Sequence, residues 1–168
     1  EKSDRYDLLF NGRPFAKYIS IDELKSTVGK NEIPELMVME YLEGVELKID
    51  PVLKNGEMLT CSVKNRLNFA SGLAMGFEMI DDNGAINYAR SLLKHLPMDY
   101  CIDISTRGGV LMEINPRVST YIYSKNYCAP YLALKLAMEE MSADEVKDYQ
   151  TKLPIGKKMF RYYGQIDY

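Results

Sequence analysis

The chain predicts a mixed α/β (α+β) fold, an antiparallel sheet with helices packed on it, and three observations carry this. Two extended segments, Glu46 to Leu53 and Met58 to Arg66, flank Lys54-Asn55-Gly56-Glu57, and Asn-Gly is the strongest short hairpin signal. Between Ala85 and His95 the residues Ile86, Ala89, Leu92 and Leu93, continued by Leu96, fall along one helix face. A second pair of extended segments, Tyr100 to Ser105 and Gly109 to Asn115, is joined by a tight turn at Thr106-Arg107-Gly108. With 168 residues, rich in Leu, Ile, Val, Met and Tyr, the chain is long enough to bury a core.

Taken in order, Ser20 with Glu23 three residues later forms a capping-box pattern that opens a short helix through about Val28. Pro34 ends the following loop, and Leu36 to Tyr41 reads as a buried strand because its residues are almost continuously apolar. The Asn55-Gly56 hairpin comes next, then the helix after Asn83-Gly84, which Pro97 closes. The second strand pair leads to a Tyr- and Leu-rich helix from about Pro130 to Met141. A helix from about Ala143 to Thr151 and a strand from about Lys157 to Tyr163 finish the reading.

Composition excludes several functions. The 21 basic and 24 acidic side chains give a net charge of -3, so nothing draws the chain generally to nucleic acid or to an anionic membrane. No apolar stretch has the length of a membrane span, and Glu1-Lys2-Ser3-Asp4-Arg5 lacks signal-peptide character, so a soluble, cytoplasmic protein is expected. The abrupt polar start reads as that of a segment cut from a longer chain. Cys61, Cys101 and Cys128 have no CxxC spacing and sit among apolar residues, as buried thiols do in a reducing compartment. His95, the single histidine, falls at a helix C-terminus, where the dipole explains it better than catalysis does. The tyrosines between Tyr121 and Tyr131, with Tyr162 and Tyr163, read as packing residues.

Chemistry concentrates in Leu111-Met112-Glu113-Ile114-Asn115-Pro116-Arg117. A two-residue period sets Glu113 and Asn115 on one strand face and Met112 and Ile114 on the other. A carboxylate beside an amide oxygen suits a hard cation such as magnesium. Hairpin pairing would bring Asp103 roughly opposite the Glu113 region to complete the set. Arg117, after the strand-ending Pro116, offers a bidentate guanidinium to phosphate. An ordinary polar strand end held by a surface ion pair would show the same pattern.

Glu113-Ile114-Asn115-Pro116-Arg117-Val118-Ser119 resembles the metal-binding-strand signature of ATP-grasp enzymes of the carbamoyl phosphate synthase type. Met39-Glu40-Tyr41-Leu42-Glu43-Gly44-Val45-Glu46 resembles the interdomain hinge of the same family, and Lys64-Asn65-Arg66 followed by Gly72 its basic strand end and glycine loop. The likeness runs over roughly Leu36 to Met138. It implies an ATP-grasp fold, with a shortened lid and hinge strand over residues 1–42 and a nucleotide- and magnesium-binding carboxyl-terminal subdomain over 43–168. The backbone of Glu40, Tyr41 and Leu42 would bind the adenine edge, and Glu46 the ribose hydroxyls. Asp103, Glu113 and Asn115 would hold Mg2+, or Mn2+ as an alternative. Arg117 would contact the terminal phosphates, and Arg66 the phosphoryl group or an acyl phosphate, with Asn68 and Ser71 as weaker candidates. The implied activity is ATP-dependent ligation of a small-molecule carboxylate and an amine, with no nucleic acid or membrane partner. A non-catalytic nucleotide-binding or partner-binding module and a purely structural domain are the rival readings.

The chain departs from that family at its start. Phe10-Asn11-Gly12-Arg13-Pro14-Phe15-Ala16-Lys17-Tyr18 stands where a glycine-rich phosphate loop belongs, yet offers one glycine, with Arg13 or Lys17 as substitute phosphate ligands. A missing lid or amino-terminal domain is therefore an expected partner. Self-association is left open, since a face left by a missing domain and a homo-oligomer face have the same sequence pattern.

Overall fold

Strand alternation and helix caps set the elements. The computed structural model describes residues 5–10, 19–29, 35–70, 73–119 and 123–160. In chain order these hold helices α1 (Arg5–Phe10) and α2 (Ile21–Val28), then strands β1 (Glu46–Lys54), β2 (Glu57–Ala70) and β3 (Leu73–Ile80). Helix α3 (Asn83–Leu93), strands β4 (Tyr100–Cys101), β5 (Asp103–Arg107) and β6 (Val110–Asn115), and helices α4 (Ala129–Ala137) and α5 (Ala143–Lys147) follow. A 3-10 turn at Asp148–Lys152 and strand β7 (Lys158–Phe160) complete the described chain. Its strands form one 7-stranded sheet in the order β6-β5-β1-β2-β3-β7, with β4 also on β1. β1 is antiparallel to β2, β4 and β5, as β5 is to β6 and β3 to β7. This is the mixed fold with an antiparallel sheet that the sequence predicts.

The chain divides into two compact units, Glu1–Tyr41 with Phe69–Ala74, and Leu42–Asn68 with Met75–Tyr168. In the first, the Glu23 N–H donates to the Ser20 side chain at 3.1 Å, capping α2 as expected. The strand expected over Leu36 to Tyr41 is not formed: residues 35–43 have no regular structure, and Met37 and Val38 are 85% and 91% exposed. An apolar run becomes a strand only where a neighbour takes up its N–H and C=O groups, and no described strand pairs with this one. The phosphate-loop candidate lies, from Asn11 to Tyr18, outside the described residues.

In the second unit the β1–β2 turn has positive φ at Asn55 (51°) and Gly56 (76°), as a two-residue hairpin of this type requires. Adjacent residues of β1 then serve two cores. Leu53 joins Ile49, Cys61, Val63 and Ile104 against Ala89 and Leu93 of α3. Val52 joins Leu59 against Ala129, Leu132 and Leu136 of α4 and Val146 of α5. This end of β1 is therefore covered on both faces, which leaves its other end to carry polar groups.

Local differences from expectation have local causes. Helix α3 begins at Asn83, two residues early, because Asp82 accepts the Ala85 N–H at 2.9 Å and acts as its cap. The β5–β6 turn is made by Gly108 and Gly109 (φ 56° and 82°), not Thr106-Arg107-Gly108, since two glycines adopt left-handed backbone at least cost. Helix α4 stops at Ala137, and the last helix tightens after Lys147 into the 3-10 turn. The expected final strand starts at Lys158, and its part beyond Phe160 is outside the described residues. All three cysteines are free; burial pushes the Cys61 thiol up and raises Cys101 to about 12. No described helix is long and apolar enough to cross a membrane.

Candidate functional site

Alternation puts Glu46, Lys48 and Asp50 of β1 on one sheet face, where each meets polar residues of its neighbours. The register aligns Glu113, Ser105, Lys48 and Lys64 in one row across β6, β5, β1 and β2. Asn115 stands opposite Asp103, Asp50 opposite Ser62, and Glu46 opposite Arg107. Asp103 thus lies opposite the Glu113 region, as the hairpin predicts: it faces Asn115, and Glu113 faces Ser105. Because the side-chain period is two, both acids still share the face.

Three clusters result. In the first, the Lys48 ammonium lies 3.1 Å from Asp103, 3.3 Å from Glu113 Oε1, and in contact with Ser105 Oγ. The Asp103 and Glu113 side chains differ in setting, 3% and 54% exposed. Asp103 Oδ1 is buried and accepts no hydrogen bond, although Lys48 Nζ is only 3.1 Å away. Partial burial alone would raise the Glu113 carboxyl. The Asn115 amide, the Ser105 hydroxyl and the Lys48 charge outweigh it and hold Glu113 below the usual value.

In the second cluster Lys64, with a side chain 0% exposed, meets Asp50 at 2.6 Å, donates to Ser119 Oγ at 3.1 Å and lies 5.1 Å from the Phe77 ring centre. Ser119 closes the Glu113–Ser119 motif, so the segment after β6 is tied back to β2. Complete burial pushes the Asp50 carboxyl up against the pull of Lys64. In the third, Glu46 is held through one carboxylate oxygen by Arg66 and through the other by Arg107 at 2.8 Å. Arg117 stands at the rim, its Nη1 3.4 Å from Asp103 Oδ2 and 3.2 Å from the Val118 carbonyl it donates to.

The segment leading into β1 is pinned beside this face. The Gly108 N–H donates to the Val45 carbonyl at 3.1 Å, and a Cβ on Gly44 would come within 2.9 Å of Gly108 Cα. Only residues without side chains allow that approach. Upstream, Glu40 and Tyr41 are exposed and Leu42 half-buried, all outside any strand ladder.

Of the sequence-predicted residues, Asp103, Glu113, Asn115 and Arg117 come together, and Glu46 joins Arg66. Glu40 and Tyr41 are not in the hinge strand expected of them. Asn68 and Ser71 have no described side chains. Sequence reasoning missed Lys48, Asp50, Ser105 and Arg107, and took Lys64 only as part of a basic strand end. The signal was present as polar residues at alternate positions of otherwise apolar strands, Glu46-Lys48-Asp50 and Asp103-Ser105-Arg107. No group of three or more His, Cys, Asp or Glu that could hold a metal occurs among the described residues, the expected trio having two acids and an amide. A cavity of about 640 Å³ lined by Lys125, Tyr127, Tyr131, Tyr149 and Lys152 shares no residue with this face.

A family model described as ATP-grasp in the biosynthetic pathway with Ter operon matches residues 32–157, well over half of the chain. No curated protein matches it. The matched span takes in all of β1 to β6 and all three family-like motifs, so the chain belongs to the ATP-grasp family, as an ATP-binding domain of ligase type.

Proposed function

We propose that the chain is the ATP- and magnesium-holding part of a carboxylate–amine ligase, carbamoyl-phosphate-synthase-like in type, that activates a carboxylate as an acyl phosphate. The observation that carries this reading is the convergence of Asp103, Glu113, Asn115 and Arg117 at one end of the β5–β6 pair. These side chains fit a hard divalent cation: they offer carboxylate and amide oxygens, one buried oxygen accepts no hydrogen bond, and Glu113 is open to solvent. Bound there, magnesium, or manganese in its place, supplies positive charge to phosphate oxygens.

The other roles rest on the chain's own groups. Arg117, its side chain 58% exposed and anchored by Asp103, can turn its guanidinium fork to the terminal phosphates. Glu46 fixes the orientation of Arg66 toward the phosphoryl group or acyl phosphate. Each Glu46 oxygen has a second lone pair, so a ribose hydroxyl can donate to it while the arginines stay bound. Main-chain groups of Glu40 to Leu42 are assigned to the adenine edge. A small-molecule carboxylate and an amine are the substrates, a lid or preceding domain of the parent protein covers the phosphates, and the free thiols support a cytoplasmic location.

Titration calorimetry with ATP, with and without magnesium, tests the reading. Binding is expected to require magnesium and to be lost in Glu113→Gln. Magnesium-independent binding, or binding that Glu113→Gln leaves unchanged, would sink it. Magnesium-dependent binding that never yields ADP would instead identify a non-catalytic nucleotide-binding or interaction module.

A further inference from the structure

Lys48 occupies the position that a cation would take between Asp103 and Glu113. Its ammonium is 3.1 Å from Asp103 and 3.3 Å from Glu113, with Ser105 Oγ as a third contact. A divalent ion there needs oxygen ligands at about 2.1 Å, a distance that leaves no room for the ammonium among the same oxygens. Two positive charges this close also repel strongly in a partly buried site.

Building on the reading above, we infer that Lys48 is a tethered counter-cation which fills the Asp103–Glu113 seat when no metal is bound and leaves it when nucleotide phosphate and a divalent cation arrive together. Among the described residues the open direction is along β6. Across the ladder stands Lys64, fully buried and engaged by Asp50 and Ser119, so that side is closed by like charge. Along β6 lies Glu113, its side chain 54% exposed, and the flexible four-carbon stem of Lys48 can swing past it to solvent. An ammonium displaced that way stays near the site and exchanges its carboxylate partners for phosphate oxygens. Metal alone has to compete with Lys48 unaided, whereas a nucleotide–metal complex brings the new partner with it.

The test uses the 168-residue chain and Mn2+ without nucleotide, with free Mn2+ followed by electron paramagnetic resonance. The wild type should bind Mn2+ weakly, and Lys48→Met about ten-fold more tightly or better once the competing charge is gone. The gain should vanish in Lys48→Met with Glu113→Gln. Equal affinity in wild type and Lys48→Met overturns the inference, as does a gain that survives Glu113→Gln. Should Lys48→Met not fold, the Lys48 ammonium signal in ¹⁵N-lysine spectra of the wild type decides: it should move when Mn2+ is replaced by saturating, diamagnetic Mg2+-ATP, and an unmoved signal in a chain that binds the complex overturns the idea. A wild type that binds no ATP, together with tighter Mn2+ binding by Lys48→Met, would defeat the ligase reading and the nucleotide-driven exchange, and leave standing Lys48 as the occupant of the Asp103–Glu113 seat.

Discussion

Lys48 and Lys64 face each other across the β1–β2 ladder, yet they sit in opposite settings. Lys64 is sealed, with a side chain 0% exposed against one carboxylate that is equally buried. Lys48 bridges one buried and one open carboxylate, toward the end of β1 away from the Val52 contacts with α4. The same residue type, one strand apart, is a fixed strut in the first case and an exchangeable ligand in the second. Burial of the partner, rather than the charge itself, makes the difference. A sealed pair cannot trade its acid for another anion without leaving a charge stranded, whereas a pair with one wet partner can.

The largest expected effect that tests this contrast is Lys64→Met. It strands Asp50 inside the sheet and should cost about 3–5 kcal/mol in urea denaturation, most of which Asp50→Leu combined with Lys64→Met should recover. A loss below about 1 kcal/mol would break the comparison by making Lys64 behave like a surface charge. Lys48→Met should cost less, about 1–3 kcal/mol, since the buried Asp103 keeps Arg117 at 3.4 Å and the second acid, Glu113, is solvated. A larger loss would make Lys48 a strut as well.

The smallest effect is in the pH dependence of the two acids. The folded value of Glu113 is lowered, so its contribution is present above the unfolded value and is lost as pH falls through the folded one. The wild-type advantage over Glu113→Gln in thermal melts should therefore be a few tenths of a kcal/mol near neutrality and fade toward about pH 3. Asp50 is raised and acts with the opposite sign: its contribution is present below the unfolded value and lost as pH rises through the folded one. Carboxyl carbon resonances of the two residues should titrate on opposite sides of the ordinary range. Finding both on the same side would remove the distinction between a sealed and an open site.

Much of this was legible residue by residue. Asn55-Gly56 specifies its hairpin because its residues accept the backbone that turn needs, and Ser20 caps α2 because its side chain reaches an N–H three residues on. Glu113 and Asn115 share a face by period alone. Leu36 to Tyr41 misled, since an apolar run states a preference for burial without supplying the neighbouring strand that would satisfy it.

The sequence by itself therefore determined the mixed fold, the hairpin, the start of α2 and the shared strand face of Glu113 and Asn115. These depend on short-range sterics, capping and periodicity, all contained in a few consecutive residues. Only the tertiary structure decided which charge meets which. Lys48 is 55 residues from Asp103 and 65 from Glu113, and its partners follow from the register of β1 on β5 and β5 on β6. Register comes from how whole strands bury their apolar faces, so the lysine's place between two acids exists only once the sheet has formed.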